Sequence, residues 1–198
     1  SDSDLQISVV SIEENSIGSE TKSPYVVPPG IPRDIDNSTI VQRRTNEQSL
    51  QLCFNNLSDG DARAVFKESN FDLINYGRIK MFIHAEPNNG DILSDDEIHA
   101  FLRFGSDYEN NYYEIELPLK ITRPSLINQN SSNINRLVWP EDNEINLFLE
   151  ELLSLKSERN RTNFDVTIPF SKLSNNGKYL LKIVGRPSLS SILNFMIG

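Results

Sequence analysis

Glu114 and Glu116 are the residues of this chain best spaced for acid–base chemistry. They stand two apart in an alternating run, so in a strand their carboxylates share one face about 7 Å apart. That approaches the separation used in glycoside hydrolysis. Alternating acids are equally ordinary on a solvated strand, and nothing else in the sequence supports hydrolysis. His84 and His99 are the only histidines. Each falls opposite the apolar stripe of its run, and with Glu114 or Glu116 they could be drawn as a metal site. No His-x-x-x-His or cysteine spacing supports one. Asp91, Asp95, Asp96 and Glu97 form an acidic loop that could hold a hard cation such as calcium. Its spacing is not that of an EF-hand, which needs an interior glycine and a closing bidentate glutamate. A solvated charged loop is the plainer reading.

Cys53 is the single cysteine, so no intrachain disulfide can form. It lies in Leu50-Gln-Leu-Cys-Phe54 without a paired base and reads as a small buried apolar residue. There is no Gly-rich phosphate loop, no Gly-x-Ser-x-Gly elbow and no basic stripe. Asn37, Asn56, Asn130 and Asn160 open Asn-x-Ser/Thr motifs, which arise by chance in an Asn/Ser-rich chain. No catalytic, cofactor-binding or metal residue is expected. What remains is one mixed face carrying Lys80, Phe82, His84, His99, Phe101, Arg103, Tyr112 and Glu114. Of these, Phe82, His84, Phe101, Arg103, Tyr112 and Glu114 are candidate contacts to a protein partner or a glycan. Cover by the chain's own strap or loops is the alternative.

The elements that must position these residues are strands. Ile98, Ala100, Leu102 and Phe104 alternate in one run; Tyr113, Ile115, Leu117, Leu119 and Ile121 do so in the next. Period-2 alternation marks strands with one buried side. Gly105-Ser-Asp-Tyr-Glu-Asn-Asn111 between them is hairpin turn chemistry. Further strands are expected at Leu5–Val9 (with an upstream partner), Leu50–Leu57, Arg63–Lys67, Arg78–Glu86, Glu144–Leu149, Val166–Phe170, Tyr179–Val184 and Leu193–Ile197. Leu152, Leu153 and Leu155 at helical spacing predict a helix over Glu150–Arg159. Pro24, Pro28, Pro29 and Pro32 force extended geometry on 24–32. This segment reads as a strap on its own domain rather than a ligand for a partner. Trp139 before Pro140 reads as a core or edge anchor. Eight or nine strands, one short helix and no βαβ rhythm predict a mostly-β chain, a jelly-roll-like antiparallel β-sandwich. Residues 1–46 read as linker and strap, 47–198 as the sandwich domain.

At 198 residues and a formal net charge of −9, the chain disfavours nucleic acid, which needs basic patches. It also disfavours anionic lipid. It contains no 18-residue apolar run. Its opening Ser-Asp-Ser-Asp lacks the features of a signal peptide. Both ends read as cuts within a longer polypeptide.

Seven phrases together carry a resemblance. They are Val27-Pro-Pro-Gly-Ile-Pro-Arg33, Asn46-Glu-Gln-Ser-Leu50, Asp61-Ala-Arg-Ala-Val-Phe-Lys67, Asp72-Leu-Ile-Asn-Tyr-Gly-Arg-Ile-Lys-Met-Phe-Ile-His-Ala-Glu86, Asn111-Tyr-Tyr-Glu-Ile-Glu-Leu-Pro-Leu119, Trp139-Pro-Glu-Asp-Asn-Glu-Ile-Asn146 and Leu155-Lys-Ser-Glu-Arg-Asn160. With Leu189–Gly198, they resemble an internal segment of the SprA/Sov family over most of residues 25–198. The resemblance implies a soluble, non-catalytic insert of the giant outer-membrane translocon of Bacteroidota type IX secretion and gliding motility. It implies a cell-surface position, capping the barrel, with a periplasmic position as the alternative. Its partners would be the rest of the translocon polypeptide, other secretion-system proteins and secreted cargo. The chain lacks the outward-apolar strands and aromatic girdles of a barrel wall. A carbohydrate-binding sandwich at the cell surface is the competing reading.

Overall fold

The computed structural model describes residues 4–36, 43–88 and 91–198. The Asn37 motif lies outside them. In chain order the elements are β1 (Asp4–Ser11), α1 (Ile12–Asn15), β2 (Ile35–Asp36), β3 (Arg43–Arg44), β4 (Gln48–Asn55), β5 (Val65–Phe71) and β6 (Arg78–Met81). There follow β7 (His99–Gly105), β8 (Tyr112–Pro118), α2 (Ile134–Val138), β9 (Ile145–Phe148), α3 (Leu149–Arg161), β10 (Phe170–Leu173), β11 (Leu180–Val184) and β12 (Ile192–Ile197). The chain is mostly β with antiparallel sheets, which fits a β-sandwich class. It forms two compact units: one of residues 1–61, 82–96 and 120–144, the other of 62–81, 97–119 and 145–198.

The first unit holds the β1–β4 ribbon. Leu5, Ile7 and Val9 lie opposite Phe54, Leu52 and Leu50, so all six side chains share one face. The other face carries Gln6, Ser8, Gln51 and Cys53. Cys53 is therefore half-buried on a polar face, because the alternation places its neighbours, not Cys53 itself, on the apolar side. β1 finds its partner downstream in β4, with the apolar alternations of the two strands in register. The strap then crosses the unit's core. Tyr25 is buried against Trp139, its ring edge-on at 6.0 Å, and its hydroxyl lies 2.9 Å from that of Ser49.

The second unit is built on a six-stranded sheet ordered β10-β11-β8-β7-β12-β5. Ala100, Leu102 and Phe104 face Leu117, Ile115 and Tyr113 across β7–β8. Leu181 and Ile183 extend that layer across β11. These residues are buried. Helix α3 buries Leu149, Leu152, Leu155 and Arg159. Glu150 and Glu151 in its first turn and Arg159 and Arg161 in its last match the helix dipole.

Three expected strands differ: the one expected over Arg63–Lys67 runs from Val65 to Phe71, where it pairs with β12. β6 stops at Met81 because Met81 faces Ile145, the first residue of its antiparallel partner β9, and the chain before Ile145 turns away in a 3-10 turn over Glu141–Asn143. Residues 82–86 leave the ribbon for the first unit, where the Ala85 carbonyl accepts the Thr122 N–H at 2.8 Å. Val166–Phe170 is largely a turn fixed by Asp165, whose carboxylate accepts the N–H and hydroxyl of Thr167; the strand begins at Phe170.

Candidate functional site

The β7–β8 hairpin that carries the charged face is set by its loop. The Asp107 carboxylate accepts the N–H groups of Glu109, Asn110 and Asn111 and the side-chain amide of Asn111. Partial burial raises the Asp107 carboxyl pKa, but these hydrogen bonds outweigh it and hold it below its usual value. Gly105 and Gly185 close on the same turn. A Cβ on Gly105 would strike the Asn111 carbonyl, and one on Gly185 the Asn110 carbonyl. Gly185 also has φ +67°, a backbone conformation that glycine adopts without steric cost.

Behind the turn a chain of ion pairs runs across three strands. In register, Arg103 faces Glu114 on β8, and Glu114 faces Lys182 on β11. The Arg103 guanidinium donates to Glu114 at 2.7 Å and to the Tyr108 carbonyl at 2.7 Å. It also lies 4.0 Å over the Tyr112 ring. Lys182 reaches Glu114 at 2.9 Å and donates to Glu116 as well. His99 closes the row at 2.7 Å from Glu116. Burial opposes charge on both Glu116 and Lys182, yet their pairing wins. The Glu116 pKa is lowered by Lys182 and His99, and that of Lys182 is raised by Glu116 and Glu114. Glu114 is 3 % exposed, and its two cations hold a carboxylate there at acceptable cost.

This arrangement is poor acid–base machinery. A general acid needs a pKa raised toward the working pH, whereas that of Glu116 is lowered. Nor is it an aromatic platform: Tyr112 is buried and Arg103 covers one face of its ring. Phe101, Arg103, Tyr112 and Glu114 thus come together as expected, joined by His99, Glu116 and Lys182. Lys182 was legible only through parity: in Leu180–Val184 it alternates with the buried Leu181 and Ile183.

Phe82 and His84 belong to the other unit, where they serve the strap. Trp139 meets Phe82 at 6.5 Å and His84 at 6.0 Å, both edge-on. Its indole N–H donates to the Val26 carbonyl at 2.7 Å. His84 places Nδ1 2.6 Å from the Val138 carbonyl and Nε2 3.2 Å from Glu86. Glu86 also accepts the Ser23 N–H at 3.0 Å. Burial raises the Glu86 pKa, and these bonds more than offset it, leaving it below its usual value. The acidic loop is likewise occupied: Asp95 accepts the Ile121 N–H at 2.9 Å and Asp96 pairs with Lys120 at 2.7 Å. Among the described residues no group of three His, Cys, Asp or Glu is placed to hold a metal. None of their helices is long and apolar enough to cross a membrane.

The sequence matches a family described as motility related/secretion protein, SprA_N, over residues 1–198. No curated protein matches it.

Proposed function

The chain belongs to the SprA_N family of motility-related/secretion proteins, and from that premise we propose that it is a non-catalytic soluble domain of an outer-membrane protein-secretion translocon. The whole-length family match carries this reading. The system is the type IX secretion and gliding machinery of Bacteroidota, and the domain helps cap the barrel on the cell-surface side. Its partners are the rest of the translocon polypeptide, other secretion proteins and passing cargo. The ion-paired face supports a docking role over a catalytic one. Its charges are already neutralised in pairs, so a neighbour can cover it without stranding an unpaired charge. Phe101 and Arg103, backed by the buried Tyr112 and Glu114, form the partner surface; Phe82 and His84 hold the strap. Residues 1–46 act as linker and strap on 47–198, a reading supported by the β1–β4 pairing and the Tyr25–Ser49 contact. No observation favours the carbohydrate-binding alternative.

The test is topology. Ile92 is 92 % exposed in the acidic loop. Ile92→Cys is placed in the full translocon polypeptide with Cys53→Ser, and intact cells are treated with a membrane-impermeant thiol reagent. Labelling of intact cells supports the cap. Labelling only after outer-membrane permeabilisation moves the domain to the periplasm and removes the capping role.

A further inference from the structure

Helix α3 carries Lys156 and Arg159 one turn apart, facing the loop that begins at Arg186. The Lys156 ammonium donates to the Pro187 carbonyl at 2.6 Å, and the buried Tyr113 hydroxyl donates to the same oxygen at 3.4 Å. Arg159 is 0 % exposed. Its Nε and Nη2 share a single oxygen, Asn160 Oδ1, at 3.4 and 3.2 Å. Its Nη1 has no partner at all. Arg186 is exposed, and its charge acts on Arg159.

None of these three cations has a carboxylate within ion-pair distance among the described residues. That is unusual in a chain with 28 acidic against 19 basic residues. A buried guanidinium is ordinarily paired, because removing it from water unpaired costs several kcal/mol. Elsewhere in this unit the rule is kept: buried Glu114 has two cations. Burial pushes the pKa of each below its usual value, helped at Lys156 by the Arg159 charge and at Arg159 by the Arg186 charge. Arg186 also lines a cleft of about 320 Å³ with Asn110, Asn111, Val166, Thr167, Val184 and Gly185. That lining carries no acid, so nothing there repels an anion.

We infer that Lys156, Arg159 and Arg186 form a binding site for an oxyanion, the carboxylate or phosphate of a ligand that arrives at exposed Arg186 and is held by half-buried Lys156 and the unpaired Nη1 of Arg159. Guanidinium and ammonium donors suit such a group because each hydrogen bond is charge-assisted.

The test is thermal unfolding of the 198-residue chain in phosphate and in acetate, each against chloride at matched ionic strength. A saturable rise in Tm is expected with at least one of them, roughly 5–10 °C at a concentration 100-fold above its Kd. Arg159→Met removes an unpaired buried charge, so the variant folds with an equal or higher Tm in chloride and loses the anion-dependent rise. Arg186→Ala is a surface change and weakens the response at least several-fold, independently of how Arg159→Met folds. A response to phosphate alone assigns a phosphate-bearing ligand. A response to acetate, strengthened by a tetraglutamate peptide, assigns an acidic peptide segment. No saturable rise with either anion, or an equal rise in both variants, overturns the site.

Discussion

Lys182 and Glu114 stand directly opposite one another on neighbouring strands and meet at 2.9 Å, with the carboxylate almost wholly out of water. The same ammonium serves Glu116, so one cation holds two acids. Lys182→Met therefore takes one partner from each, leaving Glu114 with Arg103 and Glu116 with His99. It should cost about 2–4 kcal/mol, Arg103 still compensating Glu114 in part. Urea unfolding of the variant checks this. The pair Lys182→Met, Glu114→Gln should recover part of the loss in a double-mutant cycle; strict additivity would mean the two residues are not coupled.

The pH dependence follows from the signs of the shifts. The pKa values of Glu116, Glu86 and Asp107 are lowered in the folded chain. Their contribution is full above the unfolded carboxylate pKa of about 4 and is lost as pH falls through the lower folded values. The Lys182 pKa is raised. Its contribution is full below an unfolded pKa of about 10.4 and is lost as pH rises through the higher folded value. Urea midpoints should be flat between these limbs, and Glu116→Gln should flatten the acid limb. An acid limb unchanged by Glu116→Gln would remove that residue from the account.

The strap hangs on Trp139. Trp139→Phe keeps an aromatic ring but leaves the Val26 carbonyl without its donor, a loss of about 1–2 kcal/mol. Trp139→Ala should cost about 3–5 kcal/mol. Limited proteolysis provides the sharper readout: cleavage within residues 16–32 should accelerate in the alanine variant first. Equal rates would show the strap is held elsewhere.

Gly185→Ala meets both a left-handed backbone and the Asn110 carbonyl. A destabilisation of about 1–3 kcal/mol or more is expected, seen as a lower Tm. Gly177→Ala is the control: its φ is +71°, yet no atom lies within contact of a new Cβ. It should cost less.

Where one strand face is buried, the sequence was readable. Ile98–Phe104 and Tyr112–Ile121 alternate cleanly because one side packs and the other carries charge. The leucines of α3 were legible for the same reason, as a stripe at helical spacing. Arg159 was missed although it continues that stripe, four residues after Leu155 and seven after Leu152. A basic residue near a helix end reads as a dipole partner, and that reading hides its burial. The end of β6 at Met81 was not legible either. Ile79, Met81, Ile83 and Ala85 alternate in the sequence, but a strand also needs a hydrogen-bonding neighbour, and β9 offers none past Met81. For the candidate face, parity grouped Phe101, Arg103, Tyr112 and Glu114 correctly. It carried Phe82 and His84 along only because the strand seemed to continue.

The chain passes from one unit to the other after Asp61, Met81, Asp96, Leu119 and Glu144. Emerging from a ribosome in order, the first unit has all its residues once Glu144 has appeared. The second has to wait, because Val65 on β5 pairs with Ile197 on β12. Throughout that interval β5 exists without its neighbour, its backbone N–H and C=O groups unpaired along the edge that β12 will take. Order of synthesis thus sets which half of the molecule depends longest on protection from aggregation.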